Sequence, residues 1–424
     1  MIFAYNAGSA PHTTQSFQNT LASVGSLARI RYRTMPTASQ SRSRPAPAPR
    51  VLTSSEVRRL WIHAQRLDVE APFGAGPEAV RAAVEQLGYV QIDTINVIER
   101  CHHHILYNRI PAYRRADLRV AQSLEKTVFE FWTHALSYLP ARDFPYFVAE
   151  MKRHRDEPDG FAANVGTKEL RRILKRVREE GALTISDIKD DELKADKEHP
   201  WASRKPSKAA LQAAFYNGQV VIAARAGMLK TYELTERHFG WERLPAAATA
   251  KQRLDYLLDR ALRSQGVVSV DSVAYGDNPI KKGIAELIER RVKTRKLVPV
   301  RIGEEIIPHW AEPAALESLE MLEAPALTHI LSPFDPLIIQ RRRTKLIFGY
   351  DHLFEAYLSP AKRKYGYFTL PVLVGEDIVA MLDLKTDRQA RQLLIQAWHW
   401  TDDPRHRAAI DSALARFEKF QLAD

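Results

Sequence analysis

The sequence predicts an α+β fold built from repeated helix-and-hairpin units that ends in a strand-rich part. Two features carry that expectation. Stretches of helical period alternate with pairs of short strands in the same order more than once, and from about Leu327 the texture changes to strands. At 424 residues the chain also exceeds one ordinary core, so several domains are expected.

Residues 1–50 hold six arginines, no lysine and no acid, and close on a Ser-, Pro- and Ala-rich run from Ser39 to Pro49. Nothing periodic and apolar runs through them, which predicts a disordered tail. The same composition suits a transit peptide, or a start that really lies near Met35. Order is expected from about Leu52. Thr53 and Glu56 have the spacing of a helix cap, followed by Val57, Leu60, Trp61, Ala64 and Leu67 at helical period. A second helix should run from Pro77 to Leu87 and stop at Gly88. An extended segment, Tyr89 to Asp93, then leads into a third helix from about Ile95 to Leu106. These elements define a first region, residues 51–165.

Two later stretches share one grammar. In residues 166–245, a helix from Lys168 to Glu180 is followed by a short segment Leu183–Ile188. A helix from Lys208 to Asn217 and a hairpin of 219–224 with 229–234 around Gly227 complete the unit. In residues 246–325 the order returns as Lys251–Ser264, Ser269–Val273, Ile280–Thr294 and a hairpin of 297–300 with 306–310. Helix, helix, helix, hairpin is the order of a winged helix, so tandem winged-helix domains are predicted. Residues 326–424 should form a β-rich C-terminal part, with strands 369–374 and 378–383 around Gly375 and a closing helix Arg407–Phe420.

Composition narrows the function. The net charge of +11, from 62 basic against 51 acidic residues, suggests an anionic partner, nucleic acid first. Cys101 is the only cysteine, which excludes an internal disulfide and a thiolate zinc cluster and fits a reducing compartment. Apolar runs fall short of the roughly 18 residues that span a bilayer. Walker-type, Gly-x-Gly-x-x-Gly, Gly-x-Ser-x-Gly and His-Glu-x-x-His motifs are all missing, so nucleotide-driven, Rossmann, α/β-hydrolase and zinc-protease chemistry have no sequence support.

Gln91-Ile92-Asp93 is the most informative tripeptide. In extended backbone Gln91 and Asp93 point to one side while Val90 and Ile92 anchor the other. An amide beside a carboxylate can hold a water and take its proton. The competing reading makes Asp93 a helix cap, although Asn96 with Glu99 offers a rival cap at capping-box spacing. His102, His103 and His104 would project about 100° apart on a helix and cannot converge on one metal ion. Contact of one of them with phosphate or base, with another buried, is expected instead. Phe129 to His134 reads either as packed aromatic core or as the wall of a lesion pocket. Arg341-Arg342-Arg343 and Lys362-Arg363-Lys364, with Tyr357, Tyr365, Tyr367 and Phe368 nearby, read as strand-borne phosphate contacts or as a solvated charged face.

Taken together, several of these stretches carry a resemblance. Val90 to Arg100, Phe131-Trp132-Thr133-His134, Leu331 to Asp335, Arg341-Arg342, Glu355-x-Tyr357 and Lys362 to Tyr367 make the chain, from Leu52 to Trp400, resemble the winged-helix DNA glycosylases that unhook interstrand crosslinks. This is the AlkX or YcaQ-like group, related to AlkZ. The resemblance implies three tandem winged helices forming a concave DNA channel, with a catalytic Gln-x-Asp that falls on Gln91 and Asp93. It implies hydrolysis of the N-glycosidic bond of N7-alkylated purines, crosslinked ones included, without metal or cofactor. The expected partner is damaged double-stranded DNA, bound by a monomer in the cytoplasm at the nucleoid. Arg100, His102, His103, Arg109, Trp132, His134, Arg341, Arg342, Arg343, Lys362, Arg363 and Tyr365 are the expected DNA contacts. Gln340 departs from the group, which has an acid before the arginines. A winged-helix regulator without enzymatic activity is the alternative.

Overall fold

The computed structural model describes residues 48–188, 206–401 and 404–423. The arginine-rich segment expected to be a disordered tail lies, up to residue 47, outside the described residues. Strand β1 (Arg50–Leu52) and helix α1 (Ser54–Ala64) open the described chain. Thr53 caps α1 as its spacing with Glu56 predicts: the Thr53 amide donates to the Glu56 carboxylate at 2.7 Å, and the Glu56 amide donates to the Thr53 hydroxyl.

One strand order, a short strand paired with the second strand of a following hairpin, then recurs three times. First come α2 (Gly76–Leu87), β2 (Val90–Gln91), α3 (Cys101–Tyr107), α4 (Arg115–Ser123) and the hairpin β3 (Val128–Trp132) with β4 (Leu136–Pro140). The short β2 pairs with the second hairpin strand, giving the order β2-β4-β3. After α5 (Pro145–Asp156) and α6 (Gly160–Ala163), the second copy comprises α7 (Thr167–Glu180), β5 (Leu183–Thr184), α8 (Pro206–Tyr216), β6 (Val220–Ala226) and β7 (Leu229–Leu234). Again the short strand joins the second hairpin strand, in the order β5-β7-β6. Past α9 (Thr235–Phe239), the third copy has α10 (Ala250–Gln265), β8 (Val267–Val268), α11 (Val270–Val273), α12 (Lys281–Lys293), β9 (Val298–Ile302) and β10 (His309–Ala311), with β8 on β10.

Here β1 joins in parallel to β9, Arg50 opposite Val300, and the Gln65 side chain donates to the Ser264 carbonyl. The opening strand and helix thus pack with the third copy, although their place in the sequence puts them in the first region. A three-residue strand has too few side chains to display a period.

The C-terminal part follows α13 (Pro313–Ser318). It holds β11 (Thr328–Ile330), α14 (Arg341–Phe348), β12 (Thr369–Val374), β13 (Asp377–Asp387), β14 (Gln392–Trp400) and α15 (Arg407–Leu422), with the strands in the antiparallel order β11-β12-β13-β14. The fold is therefore α+β. Ile410, Phe417 and Phe420 of α15 share one core with Val80 and Val84 of α2 and Leu370 and Leu382 of the sheet. This common core fastens the first copy to the C-terminal sheet. Phe129 and Phe131 of β3 lie in a second core with Ile173, Leu211 and Val220, which fastens the first copy to the second. Among the described residues no helix is long and apolar enough to cross a membrane.

Two local expectations need correction. The third helix starts at Cys101 rather than Ile95. Asn96 does not cap it, because Arg388 donates to the Asn96 side-chain oxygen at 2.8 Å and to the Asn96 carbonyl at 3.1 Å. Thr386 of β13 donates its amide to the Val97 carbonyl at 2.9 Å, so tertiary pairing holds residues 94–100 out of the helix. The basic runs are not on strands either. Arg341 to Arg343 form the first turn of α14, and Lys362 closes a short 3-10 turn, Pro360–Lys362.

Candidate reaction centre

The strand β2 presents Gln91 and Asp93 as its alternation predicts. Val90 and Ile92 are buried in the first core, while the Ile92 amide extends the pairing by donating to the Leu136 carbonyl at 2.8 Å. Gln91 and Asp93 occupy the opposite side, 4% and 6% exposed, so only a narrow part of each meets solvent. Asp93 accepts the Ile95 amide at 2.8 Å, a local turn that orients the carboxylate without capping a helix. Burial pushes the Asp93 pKa up from its ordinary value, against the pull of the Ile95 amide. Two other buried carboxylates hold an arginine, Asp335 with Arg109 at 2.8 Å and Glu130 with Arg225 at 2.6 Å, whereas Glu355 and Asp383 accept three and two backbone amides. Among the described residues, no basic side chain forms an ion pair with Asp93. Behind the pair, the Cys101 thiol donates to the Gln91 carbonyl at 3.1 Å. Burial, and then the Asp93 charge, push that thiol well up, so it stays protonated.

His134, just beyond β3, reaches Gln91: its Nε2 lies 2.9 Å from Gln91 Oε1. Burial, with Arg260 nearby, lowers its pKa to about 4, so the ring is neutral at physiological pH. It sits between Tyr89, edge-on at 5.1 Å, and Tyr275 at 5.0 Å. Tyr275 comes from the third copy and donates its hydroxyl to the Ile339 carbonyl at 3.0 Å, two residues before α14. On the other flank Tyr357 is two-thirds exposed. Its hydroxyl is pushed up by partial burial and then by the charge of Asp93. The Tyr357 ring meets Phe354 at 5.7 Å, and Arg341 lies over Phe354 at 5.9 Å. Asp93, Tyr357, Phe354, Arg341, Tyr275, His134 and Gln91 thus form one continuous neighbourhood.

The other expected DNA contacts divide into two groups. Arg341, Arg342 and Lys362 are exposed, and Arg363 is half-buried over the Tyr367 ring at 4.8 Å. Tyr365, half-buried beside His399, carries Lys364 over its face at 4.6 Å. Arg100 is half-buried next to Glu99, and Trp132 stacks on Tyr216 at 5.9 Å. The second group is internal. Arg109 has no exposed surface, because Asp335, Gln65 and the Ile105 carbonyl take its donors. Arg343 is buried, donates to the Val267 carbonyl at 2.6 Å and lies 4.3 Å over Trp61, which supplies a π face for the remaining charge. His102 is buried against Tyr138, and burial depresses its pKa well below normal. His103 is tied to the Tyr113 hydroxyl at 2.6 Å. Buried positions cannot reach phosphate, so the expected DNA contacts of Arg109, Arg343 and His102 do not fit the structure. Gln340, at the acid's place, donates to the Ser272 carbonyl at 3.2 Å and serves packing. Among the described residues no group of three His, Cys, Asp or Glu side chains is arranged to hold a metal ion.

The family model described as DNA glycosylase AlkZ-like matches residues 84–420. The chain belongs to that family. It is accordingly a DNA glycosylase of the AlkZ-like kind, a DNA-repair hydrolase with DNA as substrate. Its structure is also similar to that of Streptomyces sahachiroi DNA glycosylase AlkZ, with a TM-score of 0.58 at 15% identity, covering 87% of this chain and 97% of that one. At that identity the likeness is one of fold. Tyr275 and Arg260 of this AlkZ-like chain carried no sequence signal, because their place beside His134 is created by tertiary packing. Tyr357 read only as an aromatic near a basic run.

Proposed function

We propose that this AlkZ-like glycosylase hydrolyses the N-glycosidic bond of N7-alkylated purines in duplex DNA, interstrand crosslinks included, with Gln91 and Asp93 at the reaction centre. The observation that carries the reading is Asp93: a buried carboxylate with no cationic partner among the described residues, two residues from Gln91 in extended backbone. N7 alkylation places a positive charge on the purine. When the C1′–N9 bond breaks, the bonding pair leaves with the base, which becomes neutral and needs little acid catalysis. The sugar is left oxocarbenium-like, and an unpaired carboxylate stabilises that charge in a water-poor site. Water then adds to C1′ and gives its proton to Asp93, while Gln91 places the water; the products are the free base and an abasic site.

Three units that share one strand order, the short strand on the second hairpin strand, support a reading as tandem winged helices in residues 51–165, 166–245 and 246–325, followed by a β-rich DNA-contacting part in 326–424. Arg341, Arg342, Lys362 and Arg363 would hold phosphates, with Tyr365, Trp132 and Arg100 nearer the bases and backbone. The enzyme would act as a monomer in the cytoplasm at the nucleoid and leave the strand uncut. Family membership favours this reading over a winged-helix regulator. The test is to incubate the purified protein with duplexes carrying N7-methylguanine or an N7–N7 crosslink. Release of free base from either supports the proposal; intact adducts on both reject it.

A further inference from the structure

The neighbourhood of Gln91 contains a device that the water-placing role does not by itself require. A glutamine amide can present either its oxygen or its NH2 group, and hydrolysis needs one of these. His134 Nε2 lies 2.9 Å from Gln91 Oε1, and a carbonyl oxygen only accepts, so with the amide in this orientation Nε2 carries the proton. On the opposite edge of the ring, the Thr133 hydroxyl lies 3.3 Å from Nδ1 and equally 3.3 Å from the Ala135 carbonyl, to which it donates, so the tautomer is set on the Gln91 side. The ring itself is clamped by Tyr89 and Tyr275. Gly276 shows how close the clamp is: it has φ +81°, and a Cβ placed there would come within 2.7 Å of His134 Cβ. A side chain at 276 would therefore push the third copy off the ring.

We propose that His134 is a positioning residue that fixes the Gln91 amide by donating to its oxygen, so that Gln91 serves the reaction as a hydrogen-bond donor. Among the described residues nothing accepts from Gln91 Nε2, so its NH2 group is available to the substrate side. A water that accepts from this NH2 and donates to Asp93 keeps a second lone pair for C1′. This inference rests on the assignment of Gln91 and Asp93 to the reaction centre. It also gives the third copy a function: the Tyr275–Gly276 turn, tied to Ile339 ahead of the α14 arginines, braces the orienting ring.

The test uses the full chain and single-turnover release of N7-methylguanine from duplex. His134→Phe keeps a ring between the two tyrosines but removes the donor. Because small misplacements of reacting groups cost about 10²-fold, it should slow release on the order of 10- to 100-fold at saturating enzyme. His134→Gln, which can donate, should recover part of that loss. In a Gln91→Ala background His134→Phe should cost nothing further, because the two residues act as one unit. An equal loss in both backgrounds, or His134→Phe at the wild-type rate, overturns the inference. If Asp93→Asn keeps the wild-type rate, the reaction-centre assignment fails instead. A reading independent of activity comes from 15N NMR of histidine-labelled protein, with the His134 signal assigned by its loss in His134→Phe. Nε2-protonated His134 is expected, and an Nδ1-protonated ring overturns the proposal.

Discussion

Replacing Asp335 by alanine separates a structural arginine from a DNA-binding one. Arg109 and Asp335 have no exposed surface, and the guanidinium donates to both Asp335 oxygens, at 2.8 and 3.0 Å. Its other donors go to the Gln65 carbonyl, the Gln65 side chain and the Ile105 carbonyl. Asp335→Ala leaves that charge buried with carbonyls alone, and stranding one partner of a buried pair costs about 3–5 kcal/mol. In domains of roughly 150–250 residues 1 kcal/mol moves Tm by about 2–4 °C, so a fall of up to about 6–20 °C is expected in thermal melts. Arg109→Met with Asp335→Leu removes both charges and should recover much of the loss. Below its melting range, Asp335→Ala should bind duplex with the wild-type salt dependence. A melting temperature within 1 °C of wild type, or a reduced salt slope in a stable Arg109→Met variant, would refute the internal role of this pair.

Other expectations follow from the same structure. Neutralising any one of Arg341, Arg342, Lys362 or Arg363 should weaken binding to every duplex sequence and reduce the salt slope by about 1, measured by fluorescence anisotropy across a salt series. An unchanged slope after replacing all four would place the cluster away from DNA. Burial holds the Asp93 pKa above its ordinary 3.8, so folding favours the protonated form and the ionised carboxylate destabilises the fold. Asp93→Asn should therefore melt higher than wild type at pH 7, and the gap should narrow as pH falls through the raised Asp93 pKa toward 3.8, where it is nearly gone. Wild-type base release should decline as pH falls through the raised Asp93 pKa; a variant no more stable than wild type at pH 7 contradicts the burial argument. Base release should persist in chelator and leave no borohydride-trapped protein–DNA adduct, since no lysine lies within Gln91–Asp93.

Regular elements with strong periods were legible in the sequence: α7, α10, α12 and the β6–β7 hairpin fall within a few residues of their expected bounds. So was the burial of Val90 and Ile92 in one core, because a two-residue period puts alternate side chains on one side. What escaped depends on distant partners. The delay of α3 to Cys101 comes from Arg388 and Thr386, nearly 300 residues away. The fate of the arginines was equally hidden. Arg341, Arg342 and Arg343 are adjacent in sequence, but the helical turn sends two outward and the third over Trp61. Arg109 looks like a surface cation until Asp335 is folded against it. Residue type indicated that the chain binds an anion; burial decides which cations can do so.

The most direct measurement is single-turnover base release by Asp93→Asn on N7-methylguanine duplex, with duplex affinity measured in parallel. The substitution keeps size and can still accept the Ile95 amide, but it removes the charge that faces the oxocarbenium-like sugar and the base that takes the proton of water. Loss of a positioned acid–base group costs about 10²–10⁴ in rate. The account predicts a loss in that range with affinity within about twofold of wild type, since phosphate contacts elsewhere supply most binding. Release at the wild-type rate by Asp93→Asn would contradict it.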